Sequence, residues 1–238
     1  MKNRRVPPRL RRRSGRASSA IRRPGPRPGP PRGRRGAGAP GTRDALFEAA
    51  AAAFSEHGFD GVSVDDIARR AGVNKAMLYY HFRGKLALYR AIVGEMLREG
   101  GARIAAVADA PDPPEVKIRR FVDAFMALTE GRPWFPRLML REMAEGAPHL
   151  DPETLGGFRA VLGAFTRILA EGQDTGVFRQ VHPVLAYLSI TGPLLLNIAR
   201  ERAGAAPGRA GLPMLVPIPR DQVREHLERI ALCVLSRP

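Results

Sequence analysis

From residue 43 onward, apolar residues recur with the period of a helix, not of a strand. Leu46, Ala49, Ala50, Ala53 and Phe54 stand at i, i+3, i+4, i+7 and i+8, which predicts an amphipathic helix capped at Thr42 and stopped by Gly58. No run alternates with period two for long, and the hairpin dipeptide Asn-Gly is missing. Breakers divide the remainder into further helices: about 85–100 ending at Gly100-Gly101, 113–130 ending at Gly131, 133–145 ending at Gly146, and 152–171 stopped by Gly172. Two more follow, over 183–202 with a bend at Pro193 and over 220–236. This is the pattern of an all-α protein.

A finer pattern occupies "SVDDIARRAGVNKAMLYYHFRGK", residues 63–85. Ser63 with Asp66 three residues on is a capping box in which Asp takes the usual place of Glu. Ile67, Ala68 and Ala71 give a short helix one apolar stripe, and Gly72 can adopt the left-handed conformation that ends it. Asn74 then caps a second helix that buries Leu78 and Phe82, with Met77 at its edge and Val73 in the elbow. Two short helices joined by a three-residue turn containing Gly make a helix-turn-helix, here over about 64–82.

With Leu78 and Phe82 inside, Lys75, Ala76, Tyr79, Tyr80 and His81 are left outside. Two of the chain's four tyrosines stand side by side there, an expensive exposure unless something covers them. A recognition helix enters the DNA major groove with its N-terminal residues toward base edges. Asn74, Lys75 and Ala76 would stand at that end, Ala76 being small enough to meet a thymine methyl. The tyrosine hydroxyls and Lys85 would reach phosphates, as would the free amides of the helix N-termini at Ser63 and Lys85. Taken alone, the pattern also suits a helix pair that binds no nucleic acid, with Tyr79 or Tyr80 in a core.

Charge changes the picture only at one end. The formal net charge is +16, yet residues 1–42 hold 14 of the Lys and Arg and no acid, leaving +2 for the rest. Residues 1–40 have almost no apolar side chain and read as a disordered basic tail. It is either dispensable or an arm that adds phosphate attraction, and it keeps open an RNA- or ribosome-associated basic protein as the alternative function. No apolar stretch follows its charges, so it is not a secretory signal. The most apolar run, Leu185 to Ala199, is too interrupted to span a membrane. A lone cysteine, Cys233, excludes an internal disulfide framework, fits a cytoplasmic protein, and is expected as a small buried apolar group.

Enzyme signatures are missing: there is no phosphate-binding Gly-rich loop with Lys-Ser/Thr, no HExxH, no Cys-x-x-Cys, no GxSxG and no carboxylate pair on one helix face. The five His, at 57, 81, 149, 182 and 226, never stand at i, i+4, so neither a metal site nor a cofactor is called for.

Residues 43–92, "RDALFEAAAAAFSEHGFDGVSVDDIARRAGVNKAMLYYHFRGKLALYRAI", resemble the N-terminal domain of TetR/AcrR-type transcriptional regulators. The Ala-rich first helix, the "F…GF.G.SV..IA..AGV" link and "LYYHF..K..L" carry the resemblance in order. Asn74 departs from the usual Ser or Thr, and Gly84-Lys85-Leu86 from Ser/Asn-Lys-Glu, so base preference does not transfer. The resemblance implies a DNA-binding domain over 41–86 and a helical ligand-binding and dimerisation domain over 87–238. The last two helices, 183–202 and 220–236, would pack against a second copy as a four-helix bundle. The "LPMLVPIP" between them would either lie across that copy or form a mobile loop. The implied function is a homodimeric repressor on a palindromic double-stranded operator, cytoplasmic and on the nucleoid when bound, released by a small molecule acting through the helix beginning at Lys85. Candidate pocket residues are Phe121, Phe125, Trp134, Met139, Met143, Phe158 and Phe165, each also explicable as plain core, with Arg141, Glu142, His149 and His182 as polar candidates. Such a pocket would suit an apolar or aromatic effector.

Overall fold

The computed structural model describes residues 41–204 and 216–236. Residues 1–40 and most of the Pro/Gly-rich connection before Arg220 lie outside the described residues, and with them the expectations for the tail and for "LPMLVPIP" up to Leu215. Among the described residues the chain forms nine α-helices and, apart from one isolated bridge between Phe178 and Ser236, no extended pairing. They are α1 (Thr42–His57), α2 (Val64–Ala71), α3 (Lys75–Phe82), α4 (Lys85–Ala108), α5 (Pro114–Gly131), α6 (Phe135–Ala144), α7 (Pro152–Asp174), α8 (Pro183–Gly204) and α9 (Arg220–Leu235).

Two apolar cores organise these helices. In the first, Leu46, Ala50 and Phe54 of α1 meet Ile67, Leu78 and Phe82 of the helix-turn-helix, Leu88, Ile92 and Met96 of α4, and Leu138 and Met139 of α6. The second gathers Ile104 of α4, Ile118 and Phe121 of α5, Phe165 and Ile168 of α7, Ile190 of α8 and Leu227 of α9. α4 runs through both, and α5 also reaches the first core with Leu128.

Three sequence expectations fail at glycine. Thr42 is the first residue of α1, and Gly41 holds the cap position without a side chain to offer. Gly100 and Gly101 lie inside α4, which runs on to Ala108. They permit close packing: a Cβ at Gly100 would stand 2.8 Å from Leu128, and one at Gly101 3.4 Å from the Ala160 Cβ. Gly157 of α7 answers from the other side, where a Cβ would stand 2.8 Å from the Leu97 Cβ. Likewise Gly172 does not end α7, which continues to Asp174, and the Phe178 ring fills the space a side chain would need. Glycine breaks a lone helix, but packing overrides that propensity when a backbone must be approached.

Two further features depart from expectation or extend it. Cys233 is exposed on α9, not buried. Lys117, 4 % exposed, donates to the Ala108 carbonyl (3.0 Å) and to Glu171 (2.5 Å), tying the end of α4 to α5 and α7. No helix among the described residues is long and apolar enough to cross a membrane.

The close approach of α4 and α7 is testable. Gly157→Leu is expected to lower stability in thermal or denaturant unfolding by about 1–3 kcal/mol, the usual cost of overpacking. Gly163→Ala, at an exposed α7 position where a Cβ meets nothing within 4 Å, is expected to raise it by about 0.5–1 kcal/mol.

Candidate DNA-binding surface and effector cleft

The helix-turn-helix forms as its caps dictate. The Ser63 hydroxyl accepts from the Asp66 amide (3.1 Å), and the Asp66 carboxylate accepts from the Ser63 amide (3.1 Å), closing the box. These hydrogen bonds from Ser63 are the main reason the Asp66 pKa is lowered. Gly72 ends α2 at φ 66°, ψ 30°, and the Val73 amide returns to the Ala68 carbonyl at 3.0 Å. Asn74 caps α3 by accepting from the Ala76 amide at 2.8 Å. Arg70 grips Glu56 with both guanidinium nitrogens, 2.7 and 2.9 Å, fixing α2 against α1.

Leu78 (0 % exposed) and Phe82 (7 %) are buried, while Tyr79 (50 %) and Tyr80 (78 %) face outward. Asn74, Lys75 and Ala76 are exposed beside them, so five of the eight expected DNA-contacting residues share one open face of α3 and its cap. Lys75 also reaches Asp65 of α2 at 2.9 Å, which raises its pKa and keeps the ammonium charged. Arg83, in left-handed conformation at φ 60°, ends α3. The Arg43 guanidinium lies 5.3 Å from the Phe82 ring centroid.

The other three expected contacts are placed differently. The Ser63 hydroxyl is occupied by its capping box at the start of α2. His81 is half-buried against Tyr80 (rings 5.0 Å apart), and its Nε2 is enclosed without a partner. Lys85 is turned inward: its ammonium donates to the carbonyls of Phe59 (2.9 Å) and Val62 (3.0 Å) and sits 4.1 Å from the Phe59 ring centroid. An ammonium at the start of α4 satisfies the bent α1–α2 link before it can satisfy a phosphate.

That link is held from the other side by α6 and the segment after it. The Arg141 guanidinium occupies the space that a Cβ on Gly58 (φ 76°) would need. The His149 ring stacks on Phe59 with centroids 4.2 Å apart. Glu142, 1 % exposed, accepts from the Tyr89 hydroxyl at 2.6 Å and bonds His149 Nδ1 at 2.7 Å through the same Oε1. Burial, then the hydrogen bond to Glu142, pushes the Tyr89 pKa up, so its hydroxyl stays a donor. Arg90 of α4 completes the junction, donating to the His149 carbonyl (2.8 Å) and pairing with Asp151 (3.3 Å). Arg141, Glu142 and His149 therefore join α6 to the DNA-binding helices and do not line a pocket; His182 is exposed at the start of α8.

A narrow apolar cleft of about 60 Å³ lies between α4, α5, α6, α7 and α8. Of the expected pocket residues, Phe125, Met139, Met143 and Phe158 line this cleft. Three candidates do not. Phe121 and Phe165 are fully buried with rings 4.8 Å apart, and Trp134 packs between Phe47 and Phe135 in the first core. Sequence reasoning missed Met96, Leu128 and, on α8, Tyr187, Leu188, Thr191 and Leu195. For the four on α8 the signal was the all-round apolarity of that helix, which was assigned wholly to dimerisation.

Residues 46–92 match the family described as bacterial regulatory proteins of the tetR family, and residues 114–205 match the tetracyclin repressor-like C-terminal domain. The chain belongs to the TetR family. As a TetR-family protein it is a DNA-binding transcriptional regulator, and the matches give no support to the RNA- or ribosome-associated alternative. It is similar to the HTH-type transcriptional regulator RutR of Escherichia coli (strain K12), 29 % identical over 151 residues, 63 % of this chain and 71 % of RutR. The biofilm operon icaADBC negative regulator IcaR of Staphylococcus aureus (strain Newman) is 45 % identical over 47 residues, 20 % of this chain and 25 % of IcaR. Among solved structures, the TetR-family regulator PfmR of Thermus thermophilus matches 81 % of this chain and 99 % of its own, with TM-score 0.62 and 26 % identity. The ketosteroid transcriptional regulator KstR2 of Mycobacterium tuberculosis shares the fold, with TM-score 0.64 at 21 % identity over 84 % of this chain and 97 % of its own.

The placement of α3's side chains predicts a split between affinity and stability. Tyr79→Phe and Tyr80→Phe should each change unfolding free energy by less than about 0.5 kcal/mol, while at least one loses operator affinity by about 1 kcal/mol. Leu78→Ala should cost about 2–5 kcal/mol of stability. Lys85→Met should also act on the fold, costing about 1–3 kcal/mol because two carbonyls lose their donor.

Proposed function

We propose that the protein is a homodimeric repressor, acting in the cytoplasm on the nucleoid, that holds a palindromic operator and is released when a small apolar or aromatic molecule enters the α4–α8 cleft. On this proposal residues 41–86 are the DNA-binding domain, with Asn74, Lys75, Ala76, Tyr79 and Tyr80 facing the duplex, and 87–238 the effector and dimer domain. One observation carries the release mechanism: α6 has a residue in each site. Met139 and Met143 line the cleft, while Glu142 between them bonds Tyr89 of α4 and His149 over Phe59. An occupant that displaces the two methionines turns α6, and α6 cannot turn without disturbing the buried Glu142 contacts. The recognition helices of a dimer must meet half-sites about 34–36 Å apart, so a small rotation of each mis-registers both. The effector must bind the released state more tightly than the DNA-bound one for this to work.

Dimerisation is supported by an apolar stripe on α8, where Leu185 is 62 %, Leu188 44 % and Leu196 66 % exposed, continued by Ile218 (44 %) before α9. Burying such a stripe against a second copy removes its contact with water.

Selection of genomic fragments retained by the purified protein should yield a sequence with two-fold symmetry. Compounds found to raise its melting temperature should lower its affinity for that fragment in anisotropy titrations. A fragment without symmetry, or compounds that tighten binding, would count against the proposal. Leu185→Glu with Leu196→Glu should convert a dimer to a monomer in analytical ultracentrifugation and weaken operator binding at least tenfold. Tyr89→Phe should leave operator affinity within about threefold, yet reduce the effector's influence on it by about 1 kcal/mol or more, part of a coupling that typically totals about 1–3 kcal/mol.

A further inference from the structure

The walls of the α4–α8 cleft say more about its occupant than that it is apolar. No acidic, basic or amide side chain lines it, and its only polar side chains are Thr191 and Tyr187. The Thr191 hydroxyl is committed to the Tyr187 carbonyl at 2.8 Å. Arg132, which touches the Met96 sulfur at 3.0 Å, is paired with Glu99 and, at 3.8 Å, with Glu95. An ionised group entering the cleft would lose its water and find no countercharge.

Tyr187 differs from every other residue of the wall. It is 7 % exposed, and its ring is enclosed by Phe121 (6.1 Å), Phe125 (6.4 Å), Phe158 (6.4 Å) and Phe165 (5.5 Å). Its hydroxyl makes no hydrogen bond within the described residues and is not among their fully enclosed unpaired atoms, so it stays open to a partner entering the cleft. Burial alone pushes its pKa up, so the group is a permanent O–H donor. A donor without an acceptor, in a cleft without charge, defines what would complete it.

On the reading that this cleft is the effector site, we propose that it selects an uncharged, mainly hydrocarbon or aromatic molecule carrying one acceptor oxygen, such as a ketone, ester or ether. Tyr187 is the residue that reads the oxygen. The cleft is small at about 60 Å³, and Met96, Met139 and Met143 in its wall are the adaptable side chains that let it widen around a ring system.

Three probes built on one ring separate these requirements: 2-acetylnaphthalene (neutral, with an acceptor), 2-ethylnaphthalene (neutral, without one) and 2-naphthoate (ionised at pH 7). Titration calorimetry with the full-length protein should rank the ketone first, about fivefold to tenfold tighter than the ethyl compound, the scale of one hydrogen bond. The naphthoate should bind more than tenfold weaker than the ketone. Tyr187→Phe should bring the ketone down to the ethyl compound and leave the ethyl compound unchanged. Met143→Trp, at a half-exposed position on the cleft wall, should weaken both neutral probes, placing them in this cleft. Melting curves check that both variants fold, and the ranking on the unaltered protein tests the chemistry without any variant. Naphthoate binding as tightly as the ketone, a Tyr187→Phe variant that keeps the ketone's advantage, or no binding of the ketone up to its solubility limit would each overturn the inference. A separate operator titration distinguishes the two proposals: probes that bind in the expected order yet leave operator affinity unchanged would sink the release mechanism and not the ligand chemistry.

Discussion

The structure depends on α4 being one uninterrupted helix shared by two cores. Its first half, through Leu88, Ile92 and Met96, is packed into the DNA-binding helices, and its second half, through Ile104, into the helices behind the cleft. A break at Gly100-Gly101 would have made two bodies on a hinge. Those glycines instead let neighbours in: a Cβ at Gly100 would stand 2.8 Å from Leu128 of α5 and one at Gly101 3.4 Å from the Ala160 Cβ of α7, so the helix is packed where it could have bent. Motion at one end of such a rod is motion at the other, because packed interiors have few intermediate arrangements. The Lys117 contacts to the end of α4 and to Glu171 fix its far terminus in the same way.

Against this rod, the α1–α2 link is the point where the two halves touch through polar groups. Phe59 is held between the Lys85 ammonium, the Tyr89 ring at 5.2 Å and the His149 ring at 4.2 Å. The buried Glu142 carboxylate binds Tyr89 and His149 with one oxygen and leaves Oε2 enclosed without a partner. A half-satisfied buried carboxylate is a costly arrangement, and its cost favours any rearrangement that gives the second oxygen a donor. A junction of this kind holds its geometry while being poised to change, unlike the apolar contacts around it.

Local chemistry was legible in the sequence, and long-range chemistry was not. The Ser63–Asp66 box, the Gly72 turn, the Asn74 cap and the division of α3 into buried Leu78 and exposed Tyr79 each depend on residues within a few positions of one another. Propensity and periodicity decide such features. Lys85 was misread because its partners, the carbonyls of Phe59 and Val62, are 26 and 23 residues away. Gly100, Gly101 and Gly172 were misread for the same reason: what fills the space beside them is Leu128, Ala160 or Phe178, which periodicity cannot place. The pocket residues divided on this line too. Phe121 and Met139 look alike in sequence, and only the crossing of five helices decides that one is core and the other wall.

The two sides of α8 connect the remaining parts. Toward the protein it presents Tyr187 and Thr191 to the cleft, and away from it Leu185 and Leu196 stand open. Leu188 does both, lining the cleft while 44 % exposed. Pro193 lies within this continuous helix and withholds the amide that would bond the Ser189 carbonyl. If the outer face packs on a second copy, as proposed, an effector beside Tyr187 lies one side chain from that interface. It would then act on the recognition helices by two routes, through α6 within a subunit and through α8 on the angle between subunits. Both routes begin at the same few apolar contacts. A ligand that fills the cleft without moving Met143 or Leu188 would therefore bind and remain silent, which makes the methionine and leucine at the cleft's edge, and not affinity alone, the determinants of whether a compound acts.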